Sequence, residues 1–191
     1  RCMERESMTS GVRVIIKKAG GVSAITTEPM QPPAPKEGEV RIKVAYAGIN
    51  FADLLMRLGF YQPRPPYPFT PGYEVSGVVD ALGKDVQGLE IGQRVVAAMR
   101  NGGQASFVVS PVERVLPLPE GISLQAAAST PVTYMTAHHM LHHLGHLRPE
   151  DKVLIHGGAG GVGTAALQLC KWAGVTQVWA TSSKGKHAVL E

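Results

Sequence analysis

The chain has 191 residues, of which 44% are hydrophobic and 18% charged, and its formal net charge is +4. This balance is typical of a globular protein and excludes a disordered one, while the absence of a Lys/Arg-rich run argues against nucleic-acid binding. No stretch approaches the roughly 20 apolar residues of a membrane span. Cys2 and Cys170 are too far apart in sequence to form a redox or metal motif, which predicts a reducing, cytoplasmic location.

Short β-type runs separated by Gly and Pro fill residues 11–120. Residues 12–16 form the first run. Between residues 40 and 46, the alternation of apolar with polar or small side chains predicts a half-buried strand. Further Val-rich runs cover residues 73–82, 94–98, 106–110 and 114–118. Short strands at this spacing favour a small closed or partly closed β-barrel, and the Pro-rich residues 62–71 predict a rigid loop outside the sheet interior.

The pattern changes after Gly121, where Ser123 is a helix cap ahead of three alanines. This predicts one short helix, and residues from about 133 to 144 predict a second. Residues 152–155 are typical of a buried parallel strand, residues 162–173 of a helix that ends at Gly174, and residues 176–180 of the next strand. A barrel followed by a βαβ unit predicts two unlike domains, residues 8–122 and 123–191.

A glycine-rich loop stands between the predicted strand and helix, with the sequence His-Gly-Gly-Ala-Gly-Gly-Val-Gly from His156. Gly158, Gly160 and Gly163 fit G-x-G-x-x-G, the turn that lets the backbone approach a pyrophosphate at a helix N-terminus. The flanking strand and helix distinguish it from an ordinary Gly-rich loop. We therefore predict a dinucleotide site whose loop residues are Gly158, Ala159, Gly160, Gly161, Val162 and Gly163.

The residues after the second strand indicate which dinucleotide binds. About 20 residues past the glycines, an NAD-preferring protein places an Asp or Glu for the ribose hydroxyl. Here residues 181–187 read Thr-Ser-Ser-Lys-Gly-Lys-His. Hydroxyls and lysines suit a 2′-phosphate, although a solvated lysine turn is the alternative. We predict NADPH, with Ser182, Ser183 and Lys186 at the phosphate.

The order of barrel and glycine loop resembles the medium-chain dehydrogenase/reductase superfamily, and within it the zinc-free quinone oxidoreductase branch that includes zeta-crystallin and the vesicle amine transport subgroup. The resemblance covers nearly all of residues 11–191. It implies a GroES-like β-barrel catalytic domain followed by the start of a doubly wound Rossmann domain, and it places Lys186 at the 2′-phosphate. Its matching stretches are residues 47–53 (AGINFAD), 57–61 (RLGFY), 70–77 (TPGYEVSG), 92–95 (GQRV), 136–137 (TA) and the glycine loop.

The resemblance also bears on metal binding. In zinc-dependent relatives a cysteine ligand occupies the position of Asn50 and a histidine ligand that of Tyr73, while Glu74 is retained. An amide and a phenol do not replace such ligands, and the relatives' structural zinc needs four cysteines where this chain has two. We expect no metal in either domain.

Five histidines between residues 138 and 146 include two pairs at i,i+4 spacing, which can chelate zinc. No Glu stands between them in an H-E-x-x-H arrangement, and the resemblance implies no metal on this helix. We expect an exposed polar helix face, formed by His138, His139, His142, His143 and His146.

Three residues are candidates for catalysis by the resemblance. It places Asn50 near the nicotinamide, whereas the alternative is a turn residue. It places Thr136 at the carboxamide end of the cofactor, whereas the alternative is an ordinary helix threonine. Tyr61 either lines the substrate entrance or packs in its loop. Leu55 stands where some quinone reductases carry a tyrosine, so we expect the proton to come from water.

The resemblance implies metal-independent hydride transfer from NADPH to a quinone or an α,β-unsaturated carbonyl, with an enoyl thioester as an alternative acceptor. A non-catalytic nucleotide-binding, RNA-binding or vesicle-associated protein of the same fold is the alternative from another class. We expect a homodimer at full length and no nucleic-acid partner. Because one βαβ crossover cannot cover both faces of a parallel sheet, we also expect the chain to belong to a longer protein and to be inactive alone.

Overall fold

The structure is a computed structural model that describes residues 10–190. Residues 1–9 and residue 191 lie outside the described residues. They include Cys2, the first two residues of the predicted domain 8–122 and the last residue of the predicted domain 123–191. The chain divides into two compact units, unit 1 up to Pro131 and unit 2 from Val132 onward. The predicted domain limits, 8–122 and 123–191, remain predictions.

Unit 1 is built on a curled antiparallel sheet of five strands, which confirms the predicted fold class. The strands are β3 (Glu39–Ala47), β4 (Glu74–Leu82), β5 (Arg94–Ala98), β6 (Phe107–Pro111) and β7 (Val115–Pro117). Their order in the sheet is β6-β3-β4-β5-β7. Register shifts in the β3–β4 pair bend the sheet, as β-bulges do. Valines and isoleucines fill the core, with Val40, Ile42 and Val75 fully buried.

Two elements of unit 1 were not predicted from the sequence. The strand β2 (Ile25–Met30) pairs with β1 (Gly11–Ile16) in a two-stranded antiparallel sheet, where an edge position tolerates Pro29. The helix α1 (Phe51–Leu58) begins directly after Asn50. It buries Met56 against Ile16 and Phe69.

Short helical segments complete unit 1. The predicted cap is confirmed at α2 (Leu124–Ala127), where the Ser123 hydroxyl accepts the Ala126 N–H at 3.1 Å. Two 3₁₀ turns cover Val22–Ala24 and Val112–Arg114. The Pro-rich residues 62–71 form a loop, as predicted, and Phe69 within it forms an isolated bridge to Ile16.

Unit 2 contains the predicted βαβ unit: β8 (Lys152–His156), α4 (Gly161–Trp172) and β9 (Gln177–Thr181), with β8 and β9 parallel. The prediction that β8 is buried was wrong: its residues alternate between exposed and half-buried, and Leu154 is 58% exposed, because its sheet within residues 10–190 has only two strands. Gly174 has the left-handed conformation, with φ of 78°, that was expected after α4. A 3₁₀ helix follows over Lys184–Val189.

The helix predicted over residues 133–144 is α-helical only in its first part. Its first part, α3 (Pro131–His138), is α-helical, but His139–Leu144 is a π-helix. The Gly145 N–H donates to the Met140 carbonyl five residues earlier, at 2.9 Å. Of the helices within residues 10–190, none combines the length and the apolar character that a bilayer crossing requires.

Candidate functional site

The glycine loop of unit 2 joins β8 to α4 and brings backbone atoms into close approach. A Cβ added at Gly163 would clash with the Gly157 carbonyl and lie 2.7 Å from the Gly158 Cα. A Cβ added at Gly158 would lie 2.6 Å from that of Ala180 on β9. Both glycines therefore allow the helix and the neighbouring strand to pack against the loop, which is the role of glycines in a dinucleotide fingerprint.

The N-terminus of α4 presents its backbone donors at the loop. The first N–H groups of a helix have no partner within it, and the cap residue Gly160 has no side chain that accepts them. Gly161, Val162 and Gly163 occupy this first turn. Such an end carries partial positive charge and binds phosphate groups.

Thr181, the last residue of β9, ties the second strand to the loop. Its hydroxyl oxygen lies 3.1 Å from His156 Nδ1 and accepts the Gly157 N–H at 3.3 Å. Its carbonyl accepts the Gly158 N–H at 2.9 Å. Thr181 has no individual role among the residues predicted from the sequence, although its position at the end of the second strand was a signal.

The predicted phosphate residues lie directly beyond Thr181. Ser182 is half-buried, and Ser183 and Lys186 are exposed. The Lys186 N–H donates to the Ser183 carbonyl at 2.9 Å. Because β8 and β9 are parallel, the glycine loop and these residues follow the carboxyl ends of adjacent strands, at one edge of the sheet.

The helix α3 contributes a threonine to the neighbourhood of the loop. A Cβ at Gly161 would lie 3.0 Å from the Thr133 side chain. Thr136, the predicted cofactor contact, is exposed on the same helix. The structure thus places Thr133, one turn earlier, against the glycine loop.

A second polar cluster lies in unit 1 around Asn50. The Asn50 side chain donates from Nδ2 to Glu74 Oε1 at 2.8 Å. Its backbone N–H donates to Asp53 Oδ2 at 2.8 Å, and the Gly72 N–H donates to Asp53 Oδ1 at 2.9 Å. Glu74 is 2% exposed and Asp53 5% exposed. Asn50 is therefore held between two buried carboxyl groups.

Burial raises the pKa of the Asp53 carboxyl above its ordinary value. The backbone hydrogen bonds from Asn50 and Gly72 act in the opposite direction because they favour the ionised form. The carboxyl joins the start of α1 to the turn before β4, so its role in this unit is to fix the segment that carries Asn50.

Tyr61 and Tyr73 form a pair of phenols in unit 1. Both rings pack against the cluster of Ile16, Met56 and Phe69, and the Tyr73 hydroxyl donates to Met56 Sδ at 3.5 Å. Burial, followed by the neighbouring Tyr61 and Asp53, raises the pKa of Tyr73 above its ordinary value. By the resemblance, this phenol occupies the position of a histidine ligand in zinc-dependent relatives. That Tyr61 and Tyr73 share one apolar cluster was not predicted from the sequence.

The predicted site residues therefore fall into two groups. Asn50 and Tyr61 belong to unit 1, whereas Thr136, the glycine loop and the residues after β9 belong to unit 2. Among residues 10–190, no group of three or more His, Cys, Asp or Glu side chains is placed to share a metal ion.

A family model covers much of unit 1. Residues 36–120 match the family model described as "Alcohol dehydrogenase GroES-like domain". A "Synaptic vesicle membrane protein VAT-1 homolog" of Danio rerio is 46% identical over 158 residues, which are 83% of this chain and 33% of that protein. The chain spans about a third to a half of the length of the curated relatives that it matches.

Solved structures are similar over nearly the whole chain. The human VAT-1 homolog-like protein has a TM-score of 0.91 at 38% identity, covering 95% of this chain and 59% of that one. CurK enoyl reductase has a TM-score of 0.88 at 34% identity, covering 94% and 56%. The quinone oxidoreductase of Thermus thermophilus, also solved in complex with NADPH, has a TM-score of 0.77 at 37% identity, covering 91% and 54%.

Proposed function

The chain belongs to the medium-chain dehydrogenase/reductase superfamily, in its quinone oxidoreductase-like branch, and from that premise we propose that it forms part of an NADPH-dependent oxidoreductase. The protein would transfer hydride to a quinone or an α,β-unsaturated carbonyl without a metal. The observation that carries the proposal is the glycine loop at the N-terminus of α4, with hydroxyl and lysine side chains beyond the adjacent strand.

The surroundings of the loop favour the phosphorylated cofactor. Residues 157–190 contain no Asp or Glu, so no carboxylate of this segment would repel a 2′-phosphate. Lys186 supplies a positive charge, and Ser182 and Ser183 supply hydroxyl donors. The Thermus thermophilus quinone oxidoreductase, whose similarity covers 91% of this chain, was solved with NADPH.

When bound, NADPH supplies the hydride, and the chain's own residues bind and orient the reacting groups. The first turn of α4 would hold the pyrophosphate. Asn50 has a fixed amide orientation because one of its N–H groups donates to Glu74. The resemblance assigns this amide to the nicotinamide, where its polar groups would orient the reacting groups. The proton that completes the reduction would come from water.

A second acceptor class has its own support. CurK enoyl reductase is as similar in fold to this chain as the quinone oxidoreductases are. Quinones and enoyl thioesters are both planar, conjugated hydride acceptors, so the same site suits either. The VAT-1 relatives are named as synaptic vesicle membrane proteins, which keeps a vesicle-associated role as the alternative from another class.

The test is NADPH oxidation by the full-length protein with a simple quinone, an enone and an enoyl thioester in turn. We expect turnover with at least one acceptor, and much slower turnover with NADH. A Lys171→Ala variant, at an exposed lysine in the last turn of α4, serves as a control for general loss of surface charge beside Lys186→Ala. NADPH binding without turnover on any acceptor would favour the non-catalytic alternative, and no NADPH binding would refute the proposal.

A further inference from the structure

The histidine-rich end of the helix that begins with α3 has no part in the proposed cofactor or acceptor sites. Its side chains pair across successive turns. The ring centroids of His138 and His142 are 4.7 Å apart, and those of His139 and His143 are also 4.7 Å apart. Imidazole is the commonest metal-ligating side chain, and two histidines four residues apart on one helix are a known chelating arrangement.

The two pairs differ in accessibility. The His142 ring packs edge-on to Trp172, with centroids 6.0 Å apart and an interplanar angle of 81°. Its Nε2 atom is buried and makes no hydrogen bond among the described residues. His139 and His143 are instead both exposed, and their rings are stacked with an interplanar angle of 22°. Their side chains can turn their nitrogens toward a common ion without displacing a neighbouring aromatic ring.

The backbone that carries the exposed pair is unusual. Both histidines lie in the π-helical segment His139–Leu144. Short π-helical turns within α-helices occur frequently at functional sites. The segment here holds the two rings side by side on one surface.

We propose that His139 and His143 form a two-nitrogen binding site for a divalent transition metal, and that Cu²⁺ is the ion bound most tightly. Imidazole nitrogens suit copper, nickel and zinc, and affinity for such a site generally peaks at Cu²⁺ in the first-row series. Within the part of the chain that the structure describes, no set of three or more ligating side chains converges on one ion. Water or a small ligand therefore fills the remaining positions, and the ion exchanges readily.

This site is distinct from the zinc positions of the zinc-dependent relatives. A structural zinc site has four protein ligands and a catalytic one has three, whereas this pair supplies two. The proposal is also independent of the NADPH site, since neither histidine lies in the glycine loop or after β9. It assigns a ligand to a surface that the sequence alone predicted to be only a polar helix face.

The test is titration of the untagged full chain with Cu²⁺, followed by calorimetry and by the nitrogen hyperfine structure of the copper EPR signal. We expect one saturable equivalent with two nitrogen ligands. Loss of a residue that only hydrogen bonds to a metal ligand typically weakens metal binding by roughly 10- to 100-fold. His139→Ala and His143→Ala each remove a ligand itself, so each should weaken Cu²⁺ binding by more than this. His138→Ala is the matched control and should leave the affinity unchanged.

Three results would overturn the proposal: no saturable Cu²⁺ binding by the wild-type chain, unchanged binding in the His139→Ala/His143→Ala double variant, or a larger loss in His138→Ala than in His143→Ala. Circular dichroism of every variant shows whether it folds. Because both proposed ligands are exposed, we expect the substitutions to leave the spectrum unchanged. A variant that loses both the spectrum and copper binding is replaced by His143→Gln, which keeps a polar side chain and should also lose the second nitrogen ligand.

Discussion

Replacement of Gly163 by alanine tests whether the glycine loop approaches α4 as closely as the structure shows. The new Cβ would meet the Gly157 carbonyl and would lie 2.7 and 2.9 Å from two backbone atoms of Gly158. These neighbours are backbone atoms and cannot give way by changing rotamer. Overpacking of this kind typically costs about 1–3 kcal/mol.

The higher helix propensity of alanine opposes the destabilising effect of this clash. Gly163 lies inside α4, where alanine is favoured over glycine by up to about 1 kcal/mol of helix propensity. We expect the clash to exceed this gain and the free energy of unfolding to fall by about 1–2 kcal/mol. For a domain of 60–100 residues, each kcal/mol lowers the melting temperature by about 4–8 °C.

Tryptophan fluorescence during denaturation is the suitable assay. The chain has two tryptophans, and both lie in unit 2. Trp172 is the last residue of α4, and Trp179 lies in β9. Gly185→Ala is the matched control, because a Cβ there meets nothing within 4 Å and should leave stability unchanged or slightly higher. If Gly163→Ala were more stable than the wild type, helix propensity alone would be acting and the close approach would be refuted.

Three further predictions concern charge and metal. Lys186→Ala should weaken NADPH by about 1.5–3 kcal/mol while leaving NADH nearly unchanged, and equal losses for both cofactors would contradict the phosphate assignment. Protein purified without a His tag should contain far less than one equivalent of zinc, because Asn50 and Tyr73 replace the ligands; stoichiometric zinc that survives a chelator would contradict this. Asp53→Asn should cost about 1–3 kcal/mol, because an amide cannot accept both backbone N–H groups. Since the folded-state pKa of Asp53 is raised, its contribution to stability should fall as the pH rises from the ordinary aspartate pKa through the raised value, and unfolding measured against pH should lose this slope in the variant.

An element was predictable from the sequence where its residues alone carry a clear pattern of apolar and polar side chains. The strand β3 was predictable because apolar side chains alternate from residue 40 to residue 46, and the alternation reports which face is buried. The strand β4 was predictable as a Val-rich run, and its first four residues are all buried. The strand β2 was missed because it contains Pro29 and is an edge strand that pairs with β1. The π-helical segment was also missed, since six residues are too few for a period to distinguish it from an α-helix.

The helix α1 could have been found from its boundary. Asn50 precedes it, and Asp53 stands three residues later, where its carboxyl accepts the Asn50 backbone N–H. An Asn followed after three residues by an acidic side chain resembles the spacing of a capping box. The helix is only eight residues long, so this terminal signal was more informative than its periodicity.

The candidate sites were likewise predictable only where their residues are close together in the sequence. The glycine loop was predictable because its glycines, strand and helix lie in one contiguous segment. Asn50 and Glu74, in contrast, are 24 residues apart and meet only because β4 passes the start of α1. Tyr61 and Tyr73 likewise reach the same apolar cluster only because the loop between them folds back. Local patterns identified these residues as candidates, but their contacts depend on tertiary structure.

The contact between Asn50 and Glu74 gives a physical reason for the expectation that no metal binds at this position. Glu74 is buried, and a buried carboxyl group needs hydrogen-bond donors. The Asn50 amide donates to this carboxyl group directly at 2.8 Å. A cysteine thiolate, which the resemblance implies at this position in zinc-dependent relatives, has no proton to donate. Asparagine at position 50 thus provides a hydrogen-bond donor to the buried glutamate and no thiolate ligand for zinc.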